Sequence, residues 1–209
     1  MRVAGVDGTK GGWIAVELSD GHFECAHVLQ PIESRFDVLG KAEIIAIDVP
    51  IGFGPRQADA AARGYLGRAA STVFTTPTRQ QLAVPFGPGL GISAQAHALG
   101  SRILHVTGVA AADQRFREVH PEVSFRAMND DAPLSYRKKS YGGVFERLDL
   151  LRRSGIDLDE LGAAAGVPID DVLDAAAAAW SGHRIALGTA RCFPDPPESV
   201  DGRPVAIWY

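Results

Sequence analysis

The chain has 209 residues, with 21 Lys or Arg against 25 Asp or Glu, a net charge of −4 and 46% hydrophobic residues. This composition excludes a disordered chain and a strongly basic nucleic-acid binder, though not a local basic patch. No apolar run approaches the ~20 residues of a membrane helix, and Asp7 interrupts the start too early for a signal-peptide core, so no membrane association and a cytoplasmic location are expected.

Arg2–Asp7 is apolar and stopped by an acid and a glycine, which predicts a buried strand. Turn chemistry at Gly8-Thr9-Lys10-Gly11-Gly12 leads to a second strand, Trp13–Leu18, and Ser19-Asp20-Gly21 to a third, His22–Leu29. Two tight connections in succession imply an antiparallel meander, because parallel strands need a long crossover. A short helix is expected over Ile32–Leu39, then a very apolar strand over Glu43–Asp48, stopped by Val49-Pro50.

Residues 52–91 carry many of the prolines and glycines and read as a loop-rich insertion in a single domain spanning 1–209. A helix is expected at Ala58–Leu66; a loop as long as the remainder is usually functional or mobile. Ser93–Ala111 predicts one helix, Phe116–Val119 a short strand and Val144–Arg153 another helix. Pro168 opens a helix to Ala186, with acids in its first turn and alanines after them. Pro204–Trp208 ends the chain as an edge strand on which two copies can pair into a homodimer. The sum is an α/β fold: a mixed sheet of three antiparallel strands followed by parallel ones, with helices on both faces.

Asp7 and Asp48 each end an almost wholly apolar strand. By period-two alternation Asp7 shares a side with Val3 and Gly5, and Asp48 with Ile44 and Ala46. If the two strands are neighbours, both carboxylates emerge at the carboxyl edge of the sheet, where α/β folds bind ligands; turn chemistry explains either acid taken alone. Asp170 and Asp171 suit the first turn of the late helix through its dipole. Asp174 lies beyond that turn, three residues from Asp171 and therefore on the same face. The alanines behind it would let the helix approach the sheet and bring Asp174 toward Asp7. Three such carboxylates suit Mg²⁺ or Mn²⁺. A zinc site would want His or Cys at short spacings, and none is expected: Cys25 and Cys192 make no CxxC, so neither a zinc knuckle nor a disulfide scaffold is indicated.

Four motifs occur in order: Gly5-Val6-Asp7-Gly8-Thr9-Lys10-Gly11-Gly12-Trp13, Ile47-Asp48-Val49-Pro50-Ile51-Gly52, Glu118-Val119-His120-Pro121-Glu122-Val123-Ser124-Phe125 and Asp170-Asp171-Val172-Leu173-Asp174-Ala175. With Asp59, Arg63, Leu66-Gly67 and Val73-Phe74 in the Arg56–Pro77 stretch, the set resembles the domain of unknown function 429 family, regarded as predicted RNase H-like nucleases. The resemblance covers essentially the whole chain and implies an RNase H-like fold. It also implies hydrolysis of phosphodiester bonds by two divalent cations, which position a water and stabilise the leaving 3′ oxygen. The ligand roles fall on Asp7, Asp48 and Asp174, with Glu118 or Glu122 as a fourth and Asp171 as the nearest replacement for Asp174. Glu118 lies in a strand and Glu122 is placed on a loop after Pro121. His120 would orient a carboxylate or carry a proton.

Nucleic acid, DNA or RNA, is the implied partner. Lys10, Arg56, Arg63 and Lys138 are the cations expected to contact its phosphates, the arginines from a flap formed by the insertion, and such binding would be salt-sensitive. Two other classes stand beside this one. Asp7-Gly8-Thr9-Lys10-Gly11-Gly12 is also similar to the phosphate-binding hairpin of sugar kinases and actin-like ATPases, although those enclose their nucleotide between two such domains. A nucleic-acid-binding module without turnover is the third. The absence of a GxSxG elbow argues against a serine hydrolase.

Overall fold

The computed structural model describes residues 1–200 and 203–209. β1 (Arg2–Thr9), β2 (Gly12–Ser19) and β3 (His22–Leu29) form the antiparallel meander, with Arg2 opposite Ser19 and Thr9 opposite Gly12. Gly11 turns the first hairpin with φ +76°, a conformation glycine adopts without a Cβ penalty. β4 (Ile44–Ile47) then joins β1 in parallel, pairing Val3 with Ile44 and Val6 with Ile47.

Four helices precede the next strand: α1 (Gln57–Leu66), α2 (Arg79–Leu82), α3 (Ala94–Ala98) and α4 (Gly100–Ala112). β5 (Phe116–Glu118) pairs in parallel with β4, completing a five-stranded mixed sheet in the order β3-β2-β1-β4-β5. After it come α5 (Pro121–Met128), α6 (Tyr141–Arg153) and α7 (Ile169–Ala186), then a separate two-stranded hairpin of β6 (Cys192–Val200) and β7 (Arg203–Trp208).

The alternation of β1 and β2 divides the core between two faces. Val3, Val16 and Leu18 pack with Leu173 and Ala176 of α7 and Leu150 and Leu151 of α6. Ala4, Val6, Trp13 and Ala15, with Ile45 and Ile47, meet Ile103 and Val106 of α4 on the other. The closest approach is at Gly5, where a Cβ would fall on the backbone nitrogen of Ala179 and the carbonyl oxygen of Ala175. Glycine on the strand and alanines on the helix therefore set the depth at which α7 sits. Among the described residues no helix is long and apolar enough to cross a membrane.

Four sequence expectations need correction. Ile32–Leu39 is not a helix but ends in a single 3₁₀ turn at Asp37–Leu39. Phe36, left-handed at φ +60°, is 2% exposed and packs against Trp13 and Phe116, so burial of its ring overrides helical propensity. The helix expected over Ser93–Ala111 is two, broken at Leu99-Gly100, where Gly100 lies against the Leu82 side chain. The segment after Pro121 is helical from its first residue, since proline at N1 forgoes no hydrogen bond and Val123 and Phe125 gain burial. Finally, Pro204–Trp208 does not lie on an open edge of the main sheet. β7 pairs with β6 on one side, and Trp208 bridges to Val119 on the other. Pro194, Pro196 and Pro197 fall where the register of β6 shifts, between Phe193 and Glu198, and interrupt no ladder bond that the hairpin needs.

Candidate active site

Because β1 and β4 run parallel and in register, Asp7 and the residue after β4, Asp48, leave the sheet side by side. The Asp48 amide still donates to the Val6 carbonyl (2.9 Å), which holds the second acid against the first strand. α7, seated deeply over Gly5, brings Asp174 to the same place. One carboxylate oxygen from each of Asp7, Asp48 and Asp174 lies within 4.8 Å of the others. They open into a cavity of about 460 Å³, which Asp170, Asp171, Glu118, His120, Glu122, Lys138 and Lys139 also line.

The electrostatics of this cluster are those of crowded like charges. Burial, then the charges of Asp48 and Asp174, push the Asp7 carboxyl well above its ordinary range, although the Gly8 N–H donates to its Oδ1 (2.6 Å). Asp48 is pushed up to about 7 by burial, against the pull of Lys138. Asp174 is likewise pushed up to about 7 by burial against the pull of Lys138, with Asp48 adding to the push. Among the described residues Lys138 is the one cation in direct contact, donating from Nζ to Asp174 Oδ2 (2.7 Å). The other oxygen of Asp174, Oδ1, is buried with no hydrogen-bond partner. A buried, unpartnered carboxylate oxygen facing two further carboxylates is a donor set of hard oxygens that a divalent cation would satisfy.

Glu118 and Glu122 are held differently. Glu118 accepts from Arg56 Nη1 (2.5 Å) and Nη2 (2.7 Å) and from the Ile51 amide (2.8 Å). Arg56 is itself buried, and its Nη2 also donates to Asp59 (2.5 Å), whose other oxygen takes the Thr76 amide (2.8 Å). Glu122, in the first turn of α5 rather than on a loop, receives both bonds from Nη2 of Arg147 (2.7 and 2.8 Å). Arg147 is 2% exposed. Each glutamate thus forms an arginine-paired wall of the cavity, with Asp59 sharing Arg56, whereas Asp7, Asp48 and Asp174 have no arginine.

This arrangement corrects the expected roles of the basic residues. Arg56 lines the cavity, but its guanidinium is committed to Glu118 and Asp59. Arg63 donates to the Val73 carbonyl (3.2 Å), and neither it nor the exposed Lys10 lines the cavity. Arg79 lies over the Phe53 ring at 4.3 Å. The insertion holds α1, a 3₁₀ turn (Gly67–Thr72) and α2, not a free flap of arginines. Of the expected cations, only Lys138 meets the aspartates. His120 lines the cavity; its Nε2 lies 3.3 Å from the Thr72 carbonyl, while Nδ1 is buried without a partner. Burial pulls the pKa of this ring down, so the imidazole is neutral at pH 7. With the proton on Nε2 by virtue of the carbonyl, Nδ1 presents a lone pair.

Neither Arg147 nor Arg102 stands out in the sequence as a site residue. Arg102, on α4, lines the cavity, donates from Nη2 to the carbonyl of Thr9 (2.5 Å) and lies over the Trp13 ring. Arg147, next to Glu146, and Arg102, next to Ser101, each read as a surface position on a helix, and only the fold brings these two inward. The expectation that no Cys or His stands at short spacing also fails: Cys25 and His27 are two apart on β3, with Glu17 beside them.

Fold and cavity together define an α/β protein whose carboxylate cluster opens at the carboxyl edge of two parallel strands. The chain belongs to the family described as "Protein of unknown function (DUF429)", whose model matches residues 5–199. No curated protein and no solved structure matches it.

Proposed function

We propose that this chain is a metal-dependent nuclease of RNase H-like type that hydrolyses phosphodiester bonds of nucleic acid with Mg²⁺ or Mn²⁺. The observation that carries the reading is the convergence of Asp7, Asp48 and Asp174, with one Asp174 oxygen buried and unpartnered, in an open cavity. Those three residues would hold the ion, and Asp171 lines the cavity beside them. A bound divalent ion supplies Lewis-acid stabilisation of charge on a phosphoryl oxygen.

The chain's own groups do the remainder. Lys138, 37% exposed in its side chain and already drawn in by Asp174, offers an ammonium to a phosphate entering the cavity. Its neighbour Lys139 bridges to Asp170 (3.1 Å) at the mouth. The Arg56–Glu118 and Arg147–Glu122 pairs fix the walls without adding net charge. His120 Nδ1 can accept a proton released within the cavity. On either side of the lysines in sequence, Tyr136, Tyr141 and Phe145 stand exposed, and the rings of Tyr141 and Phe145 stack 6.2 Å apart. Exposed rings beside a basic pair suit the bases of a nucleic-acid strand.

The test is a panel of labelled single- and double-stranded DNA and RNA, incubated with the purified protein and Mg²⁺ or Mn²⁺. Cleavage that stops with chelator and is lost in Asp7→Asn is the expected result. No cleavage above that of Asp7→Asn on any member of the panel would overturn the nuclease reading in favour of a binding module.

A further inference from the structure

A second cluster stands on the opposite side of the meander from α7, and it owes nothing to the nuclease reading. Glu17 on β2 pairs across the ladder with Cys25 on β3, and His27 lies two residues further along the same face of β3. A register shift beside Glu17 gives β3 an extra residue there. The three side chains converge. His27 Nε2 is 2.7 Å from Glu17 Oε1 and 3.3 Å from Cys25 Sγ, and Sγ is 4.0 Å from the same Oε1. Glu17 is only 4% exposed, whereas Cys25 is half-buried and the His27 side chain 27% exposed.

Without a cation, His27 Nε2 carries a hydrogen that it donates to Glu17 Oε1 (2.7 Å), so this nitrogen cannot accept from the thiol 3.3 Å away, which is left the same buried oxygen at 4.0 Å. A single cation at the centre would satisfy all three. Around a tetrahedral zinc with bonds of roughly 2.0–2.3 Å, the donors stand roughly 3.3–3.6 Å apart. The observed 2.7, 3.3 and 4.0 Å bracket that spacing.

We propose that Glu17, Cys25 and His27 form a binding site for a thiophilic divalent cation, Zn²⁺ by its donor set, distinct from the aspartate cavity. One sulfur, one imidazole nitrogen and one carboxylate oxygen make a borderline-soft set that Mg²⁺ and Ca²⁺ do not favour. The partial exposure of His27 and Cys25 leaves the fourth position to water. Binding converts the Cys25 thiol to thiolate, and its proton passes to solvent. Without the cation, burial and the neighbouring Glu17 and Glu24 push the Cys25 thiol up, so it stays protonated.

Co²⁺ titration of the full-length protein tests the site, because cobalt bound to a thiolate absorbs in the near ultraviolet and cobalt held by carboxylates alone does not. A thiolate-to-cobalt band that saturates at one equivalent and is displaced by Zn²⁺ is expected. It should vanish in Cys25→Ser and in His27→Gln, and persist in Cys192→Ser and Asp7→Asn. As a second readout on the unaltered chain, Zn²⁺ should protect Cys25 from alkylation and leave Cys192, which lies outside the cluster, unprotected. No thiolate band in the parent, a band that survives Cys25→Ser, or equal alkylation of Cys25 with and without Zn²⁺ would overturn the proposal.

Discussion

Replacing Asp48 with asparagine isolates the repulsion at the heart of the aspartate cluster, since Lys138 bonds Asp174 and the Gly8 amide bonds Asp7. Asp48 titrates at about 7 in the folded protein against an ordinary 3.8. At about 1.4 kcal/mol per pH unit, that gap corresponds to a ceiling of about 4 kcal/mol for the ionised group. The amide retains the cost of burying a polar group, and the Asp7–Asp174 repulsion remains, so about half of it, ~2 kcal/mol, should return as stability. For a chain of this size that is a rise in Tm of roughly 4–8 °C. The sign with pH follows from proton counting. Between the two pKa values the folded protein holds a proton that the unfolded chain has released, so folding stability falls as pH rises through that window. The gain from Asp48→Asn should therefore be full at pH 8 and shrink to roughly a quarter at pH 4.5. Thermal melts in chelator at both pH values measure it. Adding Mn²⁺ should raise the parent's Tm and the variant's much less, because an ion that binds only the folded state stabilises it by mass action. A variant that melts no higher than the parent at pH 8, or gains equally at both pH values, would refute the reasoning.

The other predictions follow from single contacts. Gly5→Ala should destabilise by ~3 kcal/mol or more, because its methyl falls on the backbone of α7; urea unfolding should show this, together with loss of the Mn²⁺-induced rise in Tm. Arg147→Met leaves Glu122 buried without its partner and should cost about 3–5 kcal/mol by the same measurement. Arg56→Gln should lower stability comparably while leaving the salt dependence of nucleic-acid binding unchanged, since its guanidinium faces Glu118 and Asp59 rather than a ligand. Lys138→Met frees an Asp174 oxygen and removes a competing positive charge; calorimetry should find Mn²⁺ bound on the order of tenfold more tightly, with slower cleavage.

The meander and the two parallel strands were legible in the sequence because each is a short apolar run bounded by turn residues or an acid, and period-two alternation then placed Asp7 and Asp48 on one side. Asp174 was legible because an acid beyond the first turn of an alanine-rich helix has no local reason to be there. What sequence did not disclose depends on contacts distant along the chain. Phe36 breaks its expected helix to pack between Trp13 and Phe116, and β6 is a strand through its pairing with β7. Arg56 is expected from sequence to contact phosphates, but Glu118, 62 residues away, holds its guanidinium inward. Cys25 and His27 stand two apart in the sequence, but Glu17 joins them only through cross-strand register, which a one-dimensional scan for paired cysteines does not test.

The central claim is that Asp7, Asp48 and Asp174 together hold a divalent cation. A crystal of the full chain soaked in Mn²⁺, with anomalous diffraction recorded at the manganese edge, tests it most directly. The account predicts an anomalous peak among the three carboxylates, bonded to Asp174 Oδ1. Manganese found elsewhere in the crystal, with no peak at that cluster at saturating Mn²⁺, would contradict it.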